Sequence, residues 1–134
     1  MFEALVAEIY SRDAREVILT PRSADHGCDV VVLAREGAEN TLIQCKQTNA
    51  RILDGDLAIR DVASSRAHYE HRLGVRFTRL AVHTPCRKFS RQSREAAELN
   101  RVELFDFAWL KEMLKANSVS HADLLRWTSL RRKV

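Results

Sequence analysis

The sequence of 134 residues has few cysteines, glycines and prolines: three, four and two, respectively. Cys28, Cys45 and Cys86 are odd in number and lack CxxC spacing, which argues against a disulfide framework and against a zinc ribbon. We therefore expect a cytoplasmic location, where thiols stay reduced. An apolar run of about 18 residues is also missing, so no membrane contact is predicted.

The composition is otherwise that of one folded unit. Hydrophobic residues make up 46% of the chain, and 134 residues is the size of one domain. We expect a single domain over residues 1–134 that ends in a basic tail at about 128–134. The net charge is +4. This small surplus suits a polyanion such as nucleic acid, but it is equally typical of solvated helix faces.

Hydrophobic periodicity predicts an α/β layer structure. Apolar residues at helical spacing, from Phe2 to Tyr10, indicate an opening helix. Runs rich in β-branched residues predict strands, and longer amphipathic segments predict helices. The predicted strands are 16–20, 28–34, 41–47, 77–84 and 102–105, and the further helices are 56–72, 90–100 and 107–115. Strands 28–34 and 41–47 are expected to form a hairpin, and Ser120 is expected to cap a last short helix.

Three polar residues interrupt the apolar pattern of this hairpin. Asp29 lies in an otherwise apolar strand, and Gln44 and Lys46 are two residues apart in the next one. Side chains alternate along a strand, so Gln44 and Lys46 share one face while Ile43 and Cys45 share the other. Charged groups in such surroundings need partners. One interpretation is a structural salt bridge between Asp29 and Lys46.

The other interpretation is metal-assisted hydrolysis of a phosphodiester. Hard cations such as Mg²⁺ take oxygen ligands. Asp29 would supply a carboxylate, Gln44 a side-chain carbonyl, and Cys45 its backbone carbonyl. Lys46 would lie beside the attacking water, where its charge stabilises the charge that develops on the phosphate.

Several segments resemble the catalytic domain of Mrr-type restriction endonucleases, within the PD-(D/E)xK nuclease superfamily. Residues 25–29, Asp-His-Gly-Cys-Asp, are similar to the motif D-x-G-[IV]-D, and residues 44–46, Gln-Cys-Lys, to its QxK variant. Residues 2–3, the strand and turn that end at Phe89–Ser90, and 102–110 match further landmarks in the same order. The resemblance implies a restriction-endonuclease-like core, with a central mixed β-sheet flanked by helices. It also implies Asp29, Gln44 and Lys46 as the catalytic set, with Mg²⁺ or Mn²⁺ as cofactor.

The same resemblance assigns further residues. The family's helix acid maps onto Glu3, which would bind a second metal or orient a water, and Glu8 is the alternative. Asp25 matches the first acid of the motif and serves either the metal or the turn. Thr84 either touches a phosphate or caps a strand. The basic residues expected to contact DNA phosphates are Arg87, Lys88, Arg91 and Arg94.

The function expected from these observations is that of a Mg²⁺-dependent endodeoxyribonuclease domain of restriction or defence type. Gln44 replaces an acid that most of the superfamily carries, so metal binding should be weaker. A catalytically weak or inactive DNA-binding module of the same fold is therefore one alternative, and a junction- or RNA-directed nuclease is another. DNA is the expected partner. A homodimer is expected for double-strand cleavage, as one site per chain cuts one strand, and the chain is otherwise expected to work within a larger protein or defence complex.

Overall fold

The structure is a computed structural model that describes residues 1–22 and 26–134. The helices are α1 (Phe2–Ser11), α2 (Leu57–Leu73), α3 (Arg91–Asn100), α4 (Phe107–Ala116) and α5 (His121–Thr128). The strands are β1 (Glu16–Leu19), β2 (Val30–Leu33), β3 (Thr41–Cys45), β4 (Ile52–Leu53), β5 (Arg79–His83), β6 (Lys88–Phe89) and β7 (Glu103–Phe105).

Five strands form a mixed sheet in the order β1-β2-β3-β5-β7. The pairs β1–β2 and β2–β3 are antiparallel, and β3–β5 and β5–β7 are parallel. The predicted hairpin is confirmed, with Val30 opposite Ile43. The predicted fold class, a central mixed sheet flanked by helices, is confirmed as well. A second sheet of two strands, β4 and β6, was not predicted, because two residues per strand are too few to show a period.

Helices cover both faces of the main sheet, which explains why the inner strand β2 is apolar throughout. All four residues of β2 are buried. On β3, Leu42 packs towards α2, while Ile43 and Cys45 pack towards α1. The predicted alternation is therefore confirmed for these positions, and Gln44 is left on the face of Leu42.

Local signals account for several helix ends. Ser120 and Asp123 form the expected capping box at the start of α5, and Ser90 caps α3 by accepting from Ser93 N–H. Strand β3 ends at Cys45, two residues before the predicted end. Strand β2 starts at Val30, which pairs with Ile43. The residues that follow Cys45 therefore have no partner on β2, and the strand ends there.

The residues after α5 run back along the first strand. Arg131 donates to the carbonyl of Thr20 at 2.8 Å, and the Arg132 backbone N–H donates to Leu19 O at 3.0 Å. Val134 packs against the core on the α2 face. In the described part of the chain, a helix with both the length and the apolar character needed to cross a membrane is not found.

Candidate active site

The hairpin brings Asp29 to the end of β3. The Asp29 backbone N–H donates to Ile43 O at 2.8 Å, just before Val30 pairs with Ile43, and this bond holds Asp29 next to the end of β3. The Asp29 carboxylate then accepts the Cys45 backbone N–H at 2.8 Å, through Oδ2. A charge-assisted bond of this kind fixes the carboxylate at the strand edge. Asp29 and Gln44 are both partly exposed there, so the edge is open to solvent.

The Gln44 carboxamide faces two oxygens at this edge. One of its terminal atoms lies 3.0 Å from Gly27 O and 3.3 Å from Asp29 Oδ2. With its NH₂ group at that place, the amide donates to both oxygens. Turned over, the same carboxamide would present its oxygen beside these two instead. Asp29, Gly27 and Gln44 can thus supply a carboxylate and two carbonyl oxygens, which are ligands that suit a hard divalent cation.

Gly27 is required at this turn by both conformation and space. Its φ is +84°, and a Cβ on it would lie 2.5 Å from the backbone oxygen of Asp61 in α2. The adjacent His26 ring stacks on His68 of α2, with ring centroids 3.6 Å apart. The turn that carries the Gly27 carbonyl is thus held against α2. Asp25, the other acid of the motif, lies outside the described residues.

Lys46 follows β3 directly and is held by its backbone. Its N–H donates to His83 O at 2.9 Å, while its side chain is exposed. Within residues 1–22 and 26–134, no carboxylate lies within 4.0 Å of its ammonium group. The structural salt bridge with Asp29 is therefore not formed. Lys46 instead borders a small cavity with Leu53 and Val82.

His83 lies on β5 opposite Cys45 and is a neutral, buried side chain. Burial, and then the charge of Arg79, lowers the pKa of His83 to about 3. Its Nε2 shares a hydrogen bond of 2.8 Å with the Tyr10 hydroxyl, and its ring packs on Phe105 and Trp109. At neutral pH the His83 side chain carries no charge, and it is the backbone carbonyl of His83 that holds the Lys46 N–H.

Glu3 lies near the same edge, at the start of α1. Burial raises the pKa of the Cys45 thiol well above its usual range, and the charges of Asp29 and Glu3 add to the effect. Burial alone would also raise the pKa of Glu3. Three interactions outweigh the effect of burial and lower the pKa of Glu3: a hydrogen bond from its own backbone N–H, the charge and hydrogen bond of the N-terminal ammonium, and the charge of Arg131. Glu3 is thus a half-buried, ionised acid near Cys45.

Glu8 and Thr84 are engaged elsewhere. The Glu8 carboxylate is buried and accepts from Arg12 at 3.0 Å, Arg126 at 2.7 Å and Trp127 Nε1 at 3.0 Å, which ties α1 to α5. Thr84 is also buried, and its hydroxyl accepts the Cys86 N–H at 3.2 Å in the turn after β5. Both arrangements are structural contacts of the kind that satisfies buried polar groups.

The basic residues expected to contact DNA are all exposed but differ in their contacts. Arg91 pairs with Glu95 at 2.9 Å, and Arg94 donates to Phe89 O at 3.1 Å. Arg87 and Lys88 instead line a groove beside β4 and β6, together with Arg51. Arg51 was not among the predicted site residues, because only the unpredicted pairing of β4 with β6 brings it to Lys88.

The donor set at the edge contains few charges. Among the described residues, no group of three His, Cys, Asp or Glu side chains could hold a metal ion. A cation at this edge would therefore depend on one carboxylate, Asp29, with amide and backbone oxygens completing the set. The sequence missed the Gly27 carbonyl as a donor, although the glycine within the D-x-G-x-D motif marks a close backbone approach.

Comparisons with known proteins agree with this fold. A solved structure of a protein of unknown function, AF1548, superposes with a TM-score of 0.61 at 17% sequence identity, over 93% of this chain and 76% of that chain. At this identity the likeness shows the shared fold alone. No curated protein matches the chain. A family model described as restriction endonuclease, the Mrr catalytic domain, matches residues 1–114. The chain thus has a restriction-endonuclease-like fold and belongs to the Mrr catalytic-domain family of restriction endonucleases.

Proposed function

We propose that this domain is a metal-dependent endodeoxyribonuclease of restriction or defence type. The observation that carries the proposal is the convergence of Asp29 Oδ2, the Gly27 carbonyl and the Gln44 carboxamide at an open strand edge, immediately before an exposed Lys46. A carboxylate and neutral oxygens can hold a cation, and a nearby ammonium group can stabilise negative charge on a phosphate. Together these groups suit the hydrolysis of a phosphodiester.

Asp29, Gln44 and the backbone carbonyl of Cys45 are the proposed ligands of Mg²⁺ or Mn²⁺, and the Gly27 carbonyl adds a fourth oxygen. When bound, such a cation polarises a phosphoryl oxygen and makes a nearby water more acidic. Asp29 is fixed for this task by the Cys45 N–H. Gln44 must turn its amide over to present its oxygen, and this cost, together with its missing charge, weakens metal binding.

Lys46 is proposed to stabilise the charge that develops on the phosphate oxygens. A protonated amine has no lone pair for a metal, so its contribution is electrostatic. Its side chain is exposed, and no described carboxylate competes for it within 4.0 Å. Glu3, ionised and near Cys45, is proposed to orient a water. Glu8 is left out of this set, since three donors occupy its carboxylate.

A plasmid assay tests the proposal. Supercoiled DNA is incubated with the protein in Mg²⁺ or Mn²⁺, and a parallel sample contains EDTA. Nicked or linear product that disappears in EDTA supports a metal-dependent nuclease, and linear product without prior nicking supports a dimer that cuts both strands. Intact DNA in every sample would contradict it.

The second candidate is a binding module, which the single carboxylate of the donor set favours. DNA that is retarded in a gel but never cut, with either metal, would support that alternative. A parallel incubation with single-stranded RNA of similar length separates both from an RNA-directed nuclease.

A further inference from the structure

A small two-stranded ribbon lies next to the candidate active site. Strands β4 and β6 pair in parallel, and the Arg87 N–H donates to Arg51 O at 2.8 Å at its start. The segment between Lys46 and Arg51 is fastened by the Thr48 hydroxyl, 3.5 Å from the Cys86 thiol. Five residues span at most about 17 Å. The ribbon therefore begins within about five base-pair steps of Lys46, at 3.4 Å per step along the duplex axis.

The surface of this ribbon combines positive charge with one apolar side chain. Arg51, Arg87 and Lys88 are exposed and line a groove of about 380 Å³ with Ile52, which is 41% exposed. The Arg87 guanidinium lies 5.9 Å from the centre of the Phe107 ring, which limits its freedom.

Two acids lie nearby. Asp54 follows β4, and hydrogen bonds from the Ser90 hydroxyl and the Gly55 N–H lower its pKa, so it is ionised. Asp106 caps α4 by accepting the Ala108 N–H at 2.9 Å. Three cations therefore face the groove, and the acids at its margin are engaged by their own turn and helix.

We propose that this groove, defined by Arg51, Ile52, Arg87 and Lys88, binds the sugar-phosphate backbone of DNA to one side of the cleaved bond. The three cations contact phosphates, and Ile52 packs on the apolar face of a deoxyribose. Phosphate contacts of this kind fix the register of a protein on the duplex and carry little sequence information. The inference rests on the proposed function, as it takes DNA to be the substrate.

The proposal keeps Arg87 and Lys88 of the expected DNA contacts, adds Arg51, and leaves out the two arginines of α3. Arg91 and Arg94 of α3 already have partners within the protein, Glu95 and the Phe89 carbonyl. A rival basic groove contains Arg66, Arg76 and Arg101, and it lies at the amino end of β5, whereas Lys46 lies at the carboxyl end of β3. Because β3 and β5 are parallel, these are opposite ends of the sheet, and the rival groove offers a matched control.

The test compares two double variants that each remove two exposed arginines. R51A/R87A changes the ribbon groove, and R66A/R76A changes the rival groove. Binding of a fluorescent duplex is followed by anisotropy between 50 and 200 mM KCl, with Ca²⁺ in place of Mg²⁺ to prevent cleavage. Each phosphate contact adds about 0.9 to the slope of log K against log salt. R51A/R87A should lower that slope by about 1.8, which reduces the salt effect over this range about tenfold.

The control variant R66A/R76A should bind with the slope of the wild type. An I52T variant should lose affinity about threefold or more without a change of slope, because an apolar contact releases no counterions. Thermal melts confirm that all variants are folded.

The groove proposal is overturned if R51A/R87A keeps the wild-type slope or if R66A/R76A lowers it equally. Wild-type protein that does not bind DNA at all would overturn both proposals. Binding through the groove without any cleavage in Mg²⁺ or Mn²⁺ would overturn the nuclease proposal alone.

Discussion

Two acidic side chains in this domain have opposite surroundings. Glu8 is buried on α1, and both of its carboxylate oxygens accept from donors on α1 and α5: Arg12, Arg126 and Trp127. Asp29 lies at an open edge, where its Oδ2 accepts the Cys45 backbone N–H and faces the Gln44 amide.

This difference in surroundings separates a structural acid from a candidate functional acid in this fold. Donors surround Glu8, so the protein itself satisfies its charge. Asp29 Oδ2 also accepts hydrogen bonds, from the Cys45 N–H and from the Gln44 amide, but it does so at a partly exposed edge, and the nearby Lys46 forms no ion pair with it. A carboxylate that lies at an open edge beside neutral oxygens is one that a cation can reach.

The largest effect is expected from Asp29→Asn. This change removes the ligand charge but keeps an oxygen that can accept the Cys45 N–H, so the fold should survive. Plasmid cleavage in Mg²⁺ should fall below detection while the melting temperature stays close to that of the wild type. Cleavage at the wild-type rate would show that the site is assigned to the wrong acid.

Lys46→Ala should reduce the cleavage rate by about 10²–10³, the typical cost of losing one donor that acts in the transition state. Single-turnover cleavage measures this, and duplex binding in Ca²⁺ should change little. Lys111→Ala, an exposed lysine on α4, is the matched control and should cut normally. If Lys46 were instead a buried structural partner, its loss would cost roughly 3–5 kcal/mol of stability. A collapsed thermal melt would therefore contradict the catalytic role.

Glu8→Gln should lower the stability of the fold and leave cleavage unchanged, the reverse of what is expected for Asp29 and Lys46. The change removes the carboxylate charge and leaves only one accepting oxygen, so the donors on one side of Glu8 lose their hydrogen bond. Because the arginines involved are partly exposed, we expect a loss of about 2 kcal/mol in the free energy of unfolding. Chemical denaturation measures it. Well below the melting temperature, cleavage should remain at the wild-type level. Loss of cleavage in a folded variant would move Glu8 into the active site and break the contrast with Asp29.

The smallest effect is expected from Gln44→Glu. It supplies a second carboxylate oxygen beside Asp29 and removes the need to turn over an amide. The Mn²⁺ concentration that gives half-maximal cleavage should fall severalfold with little change in the maximal rate. Gln44→Met, similar in length but without an oxygen donor, is the control and should need more Mn²⁺. If Gln44→Glu needed more Mn²⁺ than the wild type, Gln44 would not be a ligand.

The sequence predicted the fold well where side-chain periodicity and capping residues carry the information. The hairpin of β2 and β3 and the start of α5 at Ser120 followed from alternation and from the spacing of Ser120 and Asp123. The short ribbon could not be predicted. Its two strands are held by backbone hydrogen bonds between residues 36 positions apart, and two residues show no period.

The candidate site was predictable to a similar degree. Asp29, Gln44 and Lys46 stand out because burying a polar residue in an apolar strand costs free energy, which indicates that it has a partner or a function. The Gly27 carbonyl and Arg51 could not be identified in this way. A backbone oxygen leaves no mark in the sequence, and the place of an exposed arginine depends on which strands pair. For the same reason, the sequence could not show that donors on α5, together with Arg12, occupy the carboxylate of Glu8.

The most direct test of a cation site that depends on Asp29 is to count the Mn²⁺ ions bound by the protein. The free Mn²⁺ signal in electron paramagnetic resonance is titrated with protein in the presence of a short duplex, and the ions bound by the duplex alone are subtracted. The account predicts one Mn²⁺ per wild-type or Glu8→Gln chain at saturation, and none for Asp29→Asn. Equal Mn²⁺ binding by Asp29→Asn and the wild type would contradict it.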